Sequence, residues 1–278
     1  KIYNPTGKPG GWSFEYANTW YPDVDDTAAV VIALLKHDPS SAKSNVVRRA
    51  VDWITSMQNP DGGWAAFDKQ NDKLYLNEIP FSDMDSLCDP STPDIVGRVL
   101  EALGLLSDRR YQAACERGIA YLHKTQEPEG CWFGRWGVNY IYGTSNVLCA
   151  LRHHGFRASD EMVARALGWL RSVQNTDGGW GEHLASYRDR SVMGHGTSTA
   201  SQTAWALMGL LAFLPPEDAA IERGIEWLLA RQTEGGSWDE QAFTGTGFPK
   251  HFYLRYHMYP HYFPLMALGR FLRATQTS

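Results

Sequence analysis

The chain lacks most of what would place it in several common classes. Its 278 residues include only four cysteines, at 88, 115, 131 and 149, and no two form a CxxC pair. That excludes a disulfide-stapled scaffold and a cysteine zinc site, and it suits a reducing compartment. There is no basic surplus: 26 Lys and Arg stand against 31 Asp and Glu, a formal net charge of −5. Nucleic acid is therefore excluded as a partner, because no cations are left over to neutralise phosphates. Long apolar runs are also missing. The longest, Ala28–Leu35, is far short of the roughly 20 residues that span a bilayer. No secretory leader is visible, since Lys1 opens a polar stretch rich in Gly and Pro. The absence of an initiating Met reads as a fragment or a processed product.

What is present in excess is aromatic side chains, 13% of the chain with 11 Trp, and they recur at fixed places. Four segments align without gaps: Arg48–Trp64, Glu116–Trp132, Ala164–Trp180 and Glu222–Trp238. In each, a Trp or Tyr (Trp53, Tyr121, Trp169, Trp227) stands five residues before a Gln (Gln58, Gln126, Gln174, Gln232), and a Trp follows that Gln by six. Gly10-Gly11-Trp12 is a partial fifth copy whose helix would precede residue 1.

Each copy reads as a helix stopped by a Gly-rich turn, as Arg49–Met57 is stopped by Asn59-Pro60-Asp61-Gly62-Gly63. Between copies lie Thr27–Leu35, Ile95–Leu106, Ser145–Leu151 and Thr199–Phe213, apolar nearly all round, as helices buried on every side are. Alternating buried and half-buried helices predict two concentric layers. The expected fold is all-α, an α/α barrel or toroid forming one domain over residues 1–278, with an open α-solenoid as the alternative. About four and a half helix pairs fit the chain, which suggests an incomplete six-pair ring.

Asp23-Val-Asp25-Asp26-Thr27 puts three carboxylates in four residues just ahead of a buried helix. One of them would cap that helix and suit its dipole; metal binding is another use of such a cluster. Three together cannot all ionise, so a proton is retained at neutral pH. A proton held against an apolar cavity is a strong acid awaiting a weak base.

The chain resembles the squalene–hopene cyclases, the bacterial class II triterpene cyclases. Asp23-Val-Asp-Asp-Thr-Ala is similar to their DxDD acid motif, and the four Gln-to-Trp segments are similar to their QW repeats. The stretches Trp132–Thr144, Gly245–Tyr259 and Phe263–Arg270 match as well, so the likeness covers nearly the whole chain. It implies proton-started cyclisation of squalene to hopene with some hopanol, with no metal and no organic cofactor.

By the same resemblance Asp25 delivers the proton, while Asp23 and Asp26 tune and reprotonate it. Arg98 falls where the family carries a basic His that holds the acid. A guanidinium there stabilises the aspartate left after proton transfer. The matched aromatic positions are Phe14, Phe67, Trp136, Tyr142, Phe248, Phe252, Tyr256 and Tyr259. Phe67 departs from the family's Tyr and so lacks its hydroxyl. Ring faces stabilise migrating carbocations by about 0.5–2 kcal/mol each without reacting, and they exclude water.

The repeat tryptophans Trp64, Trp132, Trp180 and Trp238 instead read as structural, stacked at helix ends on their Gln or turn. His153-His154 and the His257/His261 pair have no carboxylate or cysteine at ligand spacing and read as bystanders. Tyr187–Ser191 and Gly194-His195-Gly196 read as polar loop. The resemblance further implies a partner barrel domain or self-association to close the cavity. It also implies monotopic attachment to the cytoplasmic side of a membrane, with an entrance near Ile79–Met84. The alternative functions are a class II diterpene or other terpene cyclase domain, an α/α-barrel hydrolase with paired carboxylates, and an inactive helical-repeat domain.

Overall fold

Helix boundaries follow the capping residues. Asp23 caps α1 (Val24–His37), its side chain accepting from Asp26 N, and Ser44 caps α2 (Asn45–Ser56) through Val47 N. Pro93 opens α3 (Pro93–Leu106), where a missing N–H costs nothing, and Ser107 ends it in the left-handed region. Next come α4 (Gln112–Thr125), α5 (Tyr140–Leu151), α6 (Glu161–Ser172), α7 (Ala200–Leu210), α8 (Ala219–Ala230) and α9 (Tyr259–Thr277). The computed structural model describes residues 4, 7–79, 84 and 87–277.

Two compact units are distinguished, Lys1–Thr125 and Gln126–Ser278. In the first, α1 packs on α3, with α2 against α1 and α4 against α3. In the second, α5 and α9 flank α7, with α6 against α5 and α8 against α7. The expected alternation is present in both. Every residue of α7 is buried, and in α5 only Asn146 is not. The even-numbered helices bury one face, as α8 does with Ile221, Gly224, Ile225 and Leu228.

Two elements depart from the sequence reading. A short antiparallel hairpin, β1 (Gly245–Phe248) and β2 (Phe252–Leu254), follows the last repeat. Helix α9 also extends through Pro264 to Thr277.

The repeat's turn is bonded to the outer helix that follows it. Gln58 Nε2 donates to Gly62 O in its own turn (2.9 Å) and to Ala114 O near the start of α4 (2.9 Å). Gln126 does the same with Gly130 O and Met162 O, and Gln174 with Gly178 O and Ala220 O. Arg117, Arg165 and Arg223 donate to the three Gln Oε1 atoms. At Gly62, Gly130 and Gly178 φ is +91°, +103° and +91°, and a Cβ would strike the carbonyl of that same Arg. Gly10 meets Arg49 O in the same way, which makes Gly10–Trp12 the turn of a fifth copy.

The repeat tryptophans are buried as expected. Trp64, Trp180 and Trp238 donate Nε1 to Ile54 O, Leu170 O and Leu228 O, each at 2.8 Å.

Candidate functional site

Backbone bonds staple two loops onto the first turn of α1. Asp23 N donates to Trp12 O (2.7 Å) and Val24 N to Ala66 O (2.8 Å), while Thr27 Oγ1 accepts from Trp12 N (2.8 Å). The loops that carry Phe14 and Phe67 are thereby held at the turn that carries the three aspartates. Asp89 Oδ2 fixes the second loop, accepting from Phe67 N (2.7 Å) and Asp68 N (2.9 Å). Tyr21 lies 5.9 Å from Phe67, and a cavity of about 240 Å³ is lined by Phe14, Glu15, Asn18, Tyr21 and Phe67. Its rim is open: Phe14 is 61% exposed, and Tyr21 is exposed too.

The carboxylates have unequal surroundings. Asp23 is buried. Loss of water, then the charges of Asp25 and Asp26, push it up to about 8 against two opposing backbone hydrogen bonds. Asp26 is pushed up to about 6, first by burial and then by Asp25, with Arg98 opposing. Its Oδ2 is buried without a hydrogen-bond partner, which adds to the cost of its charge. Asp25 is the partly exposed member, and its Oδ1 lies 2.7 Å from Arg98 Nε of α3. The cluster thus holds a proton on Asp23 at neutral pH, leaves the half-buried Asp26 mostly ionised, and sets Asp25 in an ion pair with Arg98.

The remaining aromatic positions lie in the second unit. Val138 N donates to Thr244 O (2.9 Å) and Thr246 N to Trp136 O (3.2 Å), which ties the Trp136 loop to β1 and so to Phe248. Arg135 sits over both rings, 4.5 Å from the Trp136 centroid and 6.0 Å from that of Phe248. One Trp136 face is thus already covered by a cation. Gly137 leaves room for the Tyr142 ring, which a Cβ there would overlap. Tyr256 and Tyr259 stack tilted at 4.7 Å. Phe252, on β2, is exposed. Of the expected entrance segment, Ile79 and Met84 are exposed, and residues 80–83 lie outside the described residues.

A family model of the squalene–hopene cyclase C-terminal domain matches residues 1–273. The chain belongs to that family.

It is 48% identical over 282 residues to a squalene–hopene cyclase of Bradyrhizobium diazoefficiens, covering 100% of this chain and 43% of the relative. A probable squalene–hopene cyclase of Sinorhizobium fredii is 50% identical, with 98% of this chain and 43% of that protein covered. Dammaradiene synthase of Dryopteris crassirhizoma is 48% identical over 95% of this chain and 42% of its own length. The chain thus spans less than half the length of these relatives.

Among solved structures, the type II terpene cyclase MstE from Scytonema superposes with a TM-score of 0.64 at 22% identity, covering 89% of this chain and 65% of that one. The ent-copalyl diphosphate synthase from Streptomyces platensis gives 0.62 at 22%, covering 89% and 41%. These likenesses establish the fold class, an all-α α/α barrel.

Several residues of this chain escape a reading of the sequence. Tyr187, expected in a polar loop, is buried and donates its hydroxyl to Gly134 O (2.8 Å) and Gly137 O (3.0 Å), holding the loop that carries Trp136. Glu182 is buried at the start of α5, accepting from Asn139 N (3.2 Å) and Ile141 N (3.0 Å); burial raises its pKa. Trp205 of α7 meets Tyr142, Tyr259 and Phe263 edge-on. Local spacing marks none of these three, because each acts on chain that is distant in sequence. Among the described residues, no group of three His, Cys, Asp or Glu side chains is gathered as a metal site.

Proposed function

We propose that this chain is the catalytic domain of a class II triterpene cyclase that isomerises squalene to hopene, with hopanol as a water-quenched side product. The observation that carries this reading is the buried three-carboxylate cluster at the start of α1, with its accessible member paired to Arg98. Asp25 is the donor. Its proton passes to the less substituted carbon of squalene's terminal double bond, the π pair becomes the new C–H bond, and a tertiary cation is left on the other carbon of that double bond. Arg98 stabilises the carboxylate left behind. Asp23, which holds a proton at neutral pH, is the reservoir that recharges it, and Asp26 beside it tunes the cluster and relays the proton.

Successive double bonds then close rings by attacking the cation, and the reaction ends on loss of a proton or capture of water. Phe14, Phe67, Trp136, Tyr142, Phe248, Phe252, Tyr256 and Tyr259 stabilise the migrating cation, offering π faces that neither react nor admit water. No cofactor is required, because the step is a proton-catalysed isomerisation.

The open aromatic rim at Phe14 and Tyr21 suits closure by a further barrel domain, such as the remaining length of the relatives would supply, or by a second copy of the chain. Exposed Leu74, Tyr75, Ile79 and Met84 suit peripheral, monotopic attachment to the cytoplasmic face of a membrane. Among the described residues, no helix is long and apolar enough to cross one.

The test is incubation of the purified chain with squalene in detergent, alone and with the N-terminal part of a full-length relative, followed by gas chromatography–mass spectrometry. Hopene and hopanol are expected. Squalene recovered unchanged in both arms overturns the reading.

A further inference from the structure

The repeat supplies a register in which inner helices can be compared residue by residue. The repeat tryptophan donates its backbone N–H to a threonine hydroxyl one turn into the next inner helix: Trp12 to Thr27 (2.8 Å), Trp132 to Thr144 (2.9 Å) and Trp180 to Thr203 (2.9 Å). The N-cap residue four places earlier donates back to the tryptophan carbonyl, Asp23 to Trp12, Thr92 to Trp64 and Thr199 to Trp180. Thr27, Val96, Thr144 and Thr203 therefore occupy one repeat position. Two residues before it stand Asp25, Asp94, Tyr142 and Ser201. Two residues after it stand Ala29, Arg98, Asn146 and Trp205.

In this register Arg98 of α3 relates to Asp25 of α1 as Trp205 of α7 relates to Tyr142 of α5. Both pairs are in contact. Arg98 Nε lies 2.7 Å from Asp25 Oδ1, and the Trp205 and Tyr142 rings meet at 4.8 Å and 65°. The repeat has thus placed a supporting residue beside the acid in one unit and beside a candidate cation-binding ring in the other.

We propose that Trp205 is a positioning residue for the cation-binding rings, holding Tyr142 and Tyr259 at the angles from which their faces stabilise positive charge. This rests on the cyclase reading. Trp205 is 2% exposed, so it acts through its neighbours and not on the substrate directly. It touches rings on both flanking helices, Tyr142 of α5, and Tyr259 (5.8 Å, 78°) and Phe263 (5.3 Å, 77°) of α9. Each is an edge-to-face contact, which fixes ring orientation more tightly than general apolar packing does.

The indole Nε1 is buried with no hydrogen-bond partner. A phenylalanine would fill the centre of this cluster without that unmet N–H. The bicyclic ring therefore earns its place by reaching α5 and α9 at once.

The test compares a farnesyl-length trimethylammonium ligand with its neutral tert-butyl isostere. The two share a shape and differ in charge, so the ratio of their affinities reads cation stabilisation apart from apolar fit. The unaltered chain is expected to prefer the ammonium ligand. Trp205→Phe, with helical circular dichroism unchanged, is expected to cut that preference about three- to tenfold and leave the neutral ligand's affinity in place. Tyr142→Leu should cut it similarly, and the double variant should add little, since both changes remove one device.

Where Trp205→Phe fails to fold, Trp205→Tyr replaces it. A folded variant whose melting temperature falls while its ammonium preference stays intact overturns the proposal, as does an unaltered chain with no preference. Squalene turnover is scored separately. A chain that shows the preference, and loses it in Trp205→Phe, yet leaves squalene unchanged both alone and with the N-terminal part of a full-length relative overturns the cyclase reading and keeps the positioning role.

Discussion

The Gln–Trp corners and the acid cluster use similar materials to opposite effect. Both put buried polar groups beside helix ends. At the corners those groups are matched: Gln58 and Gln174 each donate to two carbonyls and accept from an Arg, and the Trp64 and Trp180 indoles reach the carbonyl ten residues back. At the start of α1 they are mismatched. Three carboxylates share one turn, one of their oxygens has no hydrogen-bond partner, and Arg98 is the cation the structure sets against Asp25. Satisfied polar groups hold a fold, whereas unsatisfied ones store a bias towards giving up or keeping a proton. The contrast separates scaffold from site within one repeat pattern.

The sharpest break of that contrast is at the acid. Asp25→Asn should abolish squalene conversion, a loss of at least about a thousandfold, while helical circular dichroism is retained. Gas chromatography–mass spectrometry with a far-ultraviolet spectrum on the same sample checks both halves. Turnover that survives the change removes Asp25 as donor.

Both the corners and the acid motif were legible because their chemistry is written in short spacings. A Gln six residues before a Trp and three carboxylates before an apolar helix need no knowledge of distant chain. The four alternating helix pairs followed from the same local periodicity. What escaped depends on partners far away. Glu182 serves Ile141 and Asn139 about forty residues back, and Tyr187 serves Gly134 and Gly137 about fifty back. The β1–β2 hairpin is held by the Trp136 loop as much as by its own residues. Trp205 read as one more apolar residue of a buried helix, since only the packing of α5 and α9 against α7 surrounds it with rings.

At the corners the expected change is in stability, not chemistry. Trp180→Ala removes a fully buried indole and strands the Leu170 carbonyl, and it should destabilise by about 3–5 kcal/mol. Denaturant titration measures this, and in the fraction that remains folded the squalene product ratio should match that of the unaltered chain. A shifted product ratio would move Trp180 from scaffold to site.

Asp23 tests the mismatch from the other side. Its carboxyl is pushed from 3.8 to about 8, so the fold favours the protonated form. Stability linked to it is complete below about 4 and drains away as pH rises towards 8. Asn cannot ionise, yet it caps a helix as well as Asp does. Asp23→Asn should therefore stabilise the chain at pH 7 by on the order of 3 kcal/mol and flatten the fall of melting temperature between pH 5 and 8. Calorimetry across that range is the measurement. An unchanged slope would mean that the proton is stored elsewhere in the cluster.

The smallest effect separates one corner from another. Gln174 bridges its own turn at Gly178 to Ala220 at the start of α8 and accepts from Arg223, so three contacts depend on one side chain. Gln232 makes the local bond to Gly236 O at 3.0 Å, and among the described residues no following outer helix offers it a second carbonyl or an Arg. Its turn is braced separately by Thr233 and Ser237. Gln174→Ala leaves the Ala220 carbonyl and Arg223 without their partner and should cost about 1–3 kcal/mol, whereas Gln232→Ala removes one exposed bond and should cost about 0.5 kcal/mol or less. Paired urea titrations of the two variants resolve that gap. Equal losses would mean that the Gln works within its own turn and that the bridge to the next outer helix adds nothing.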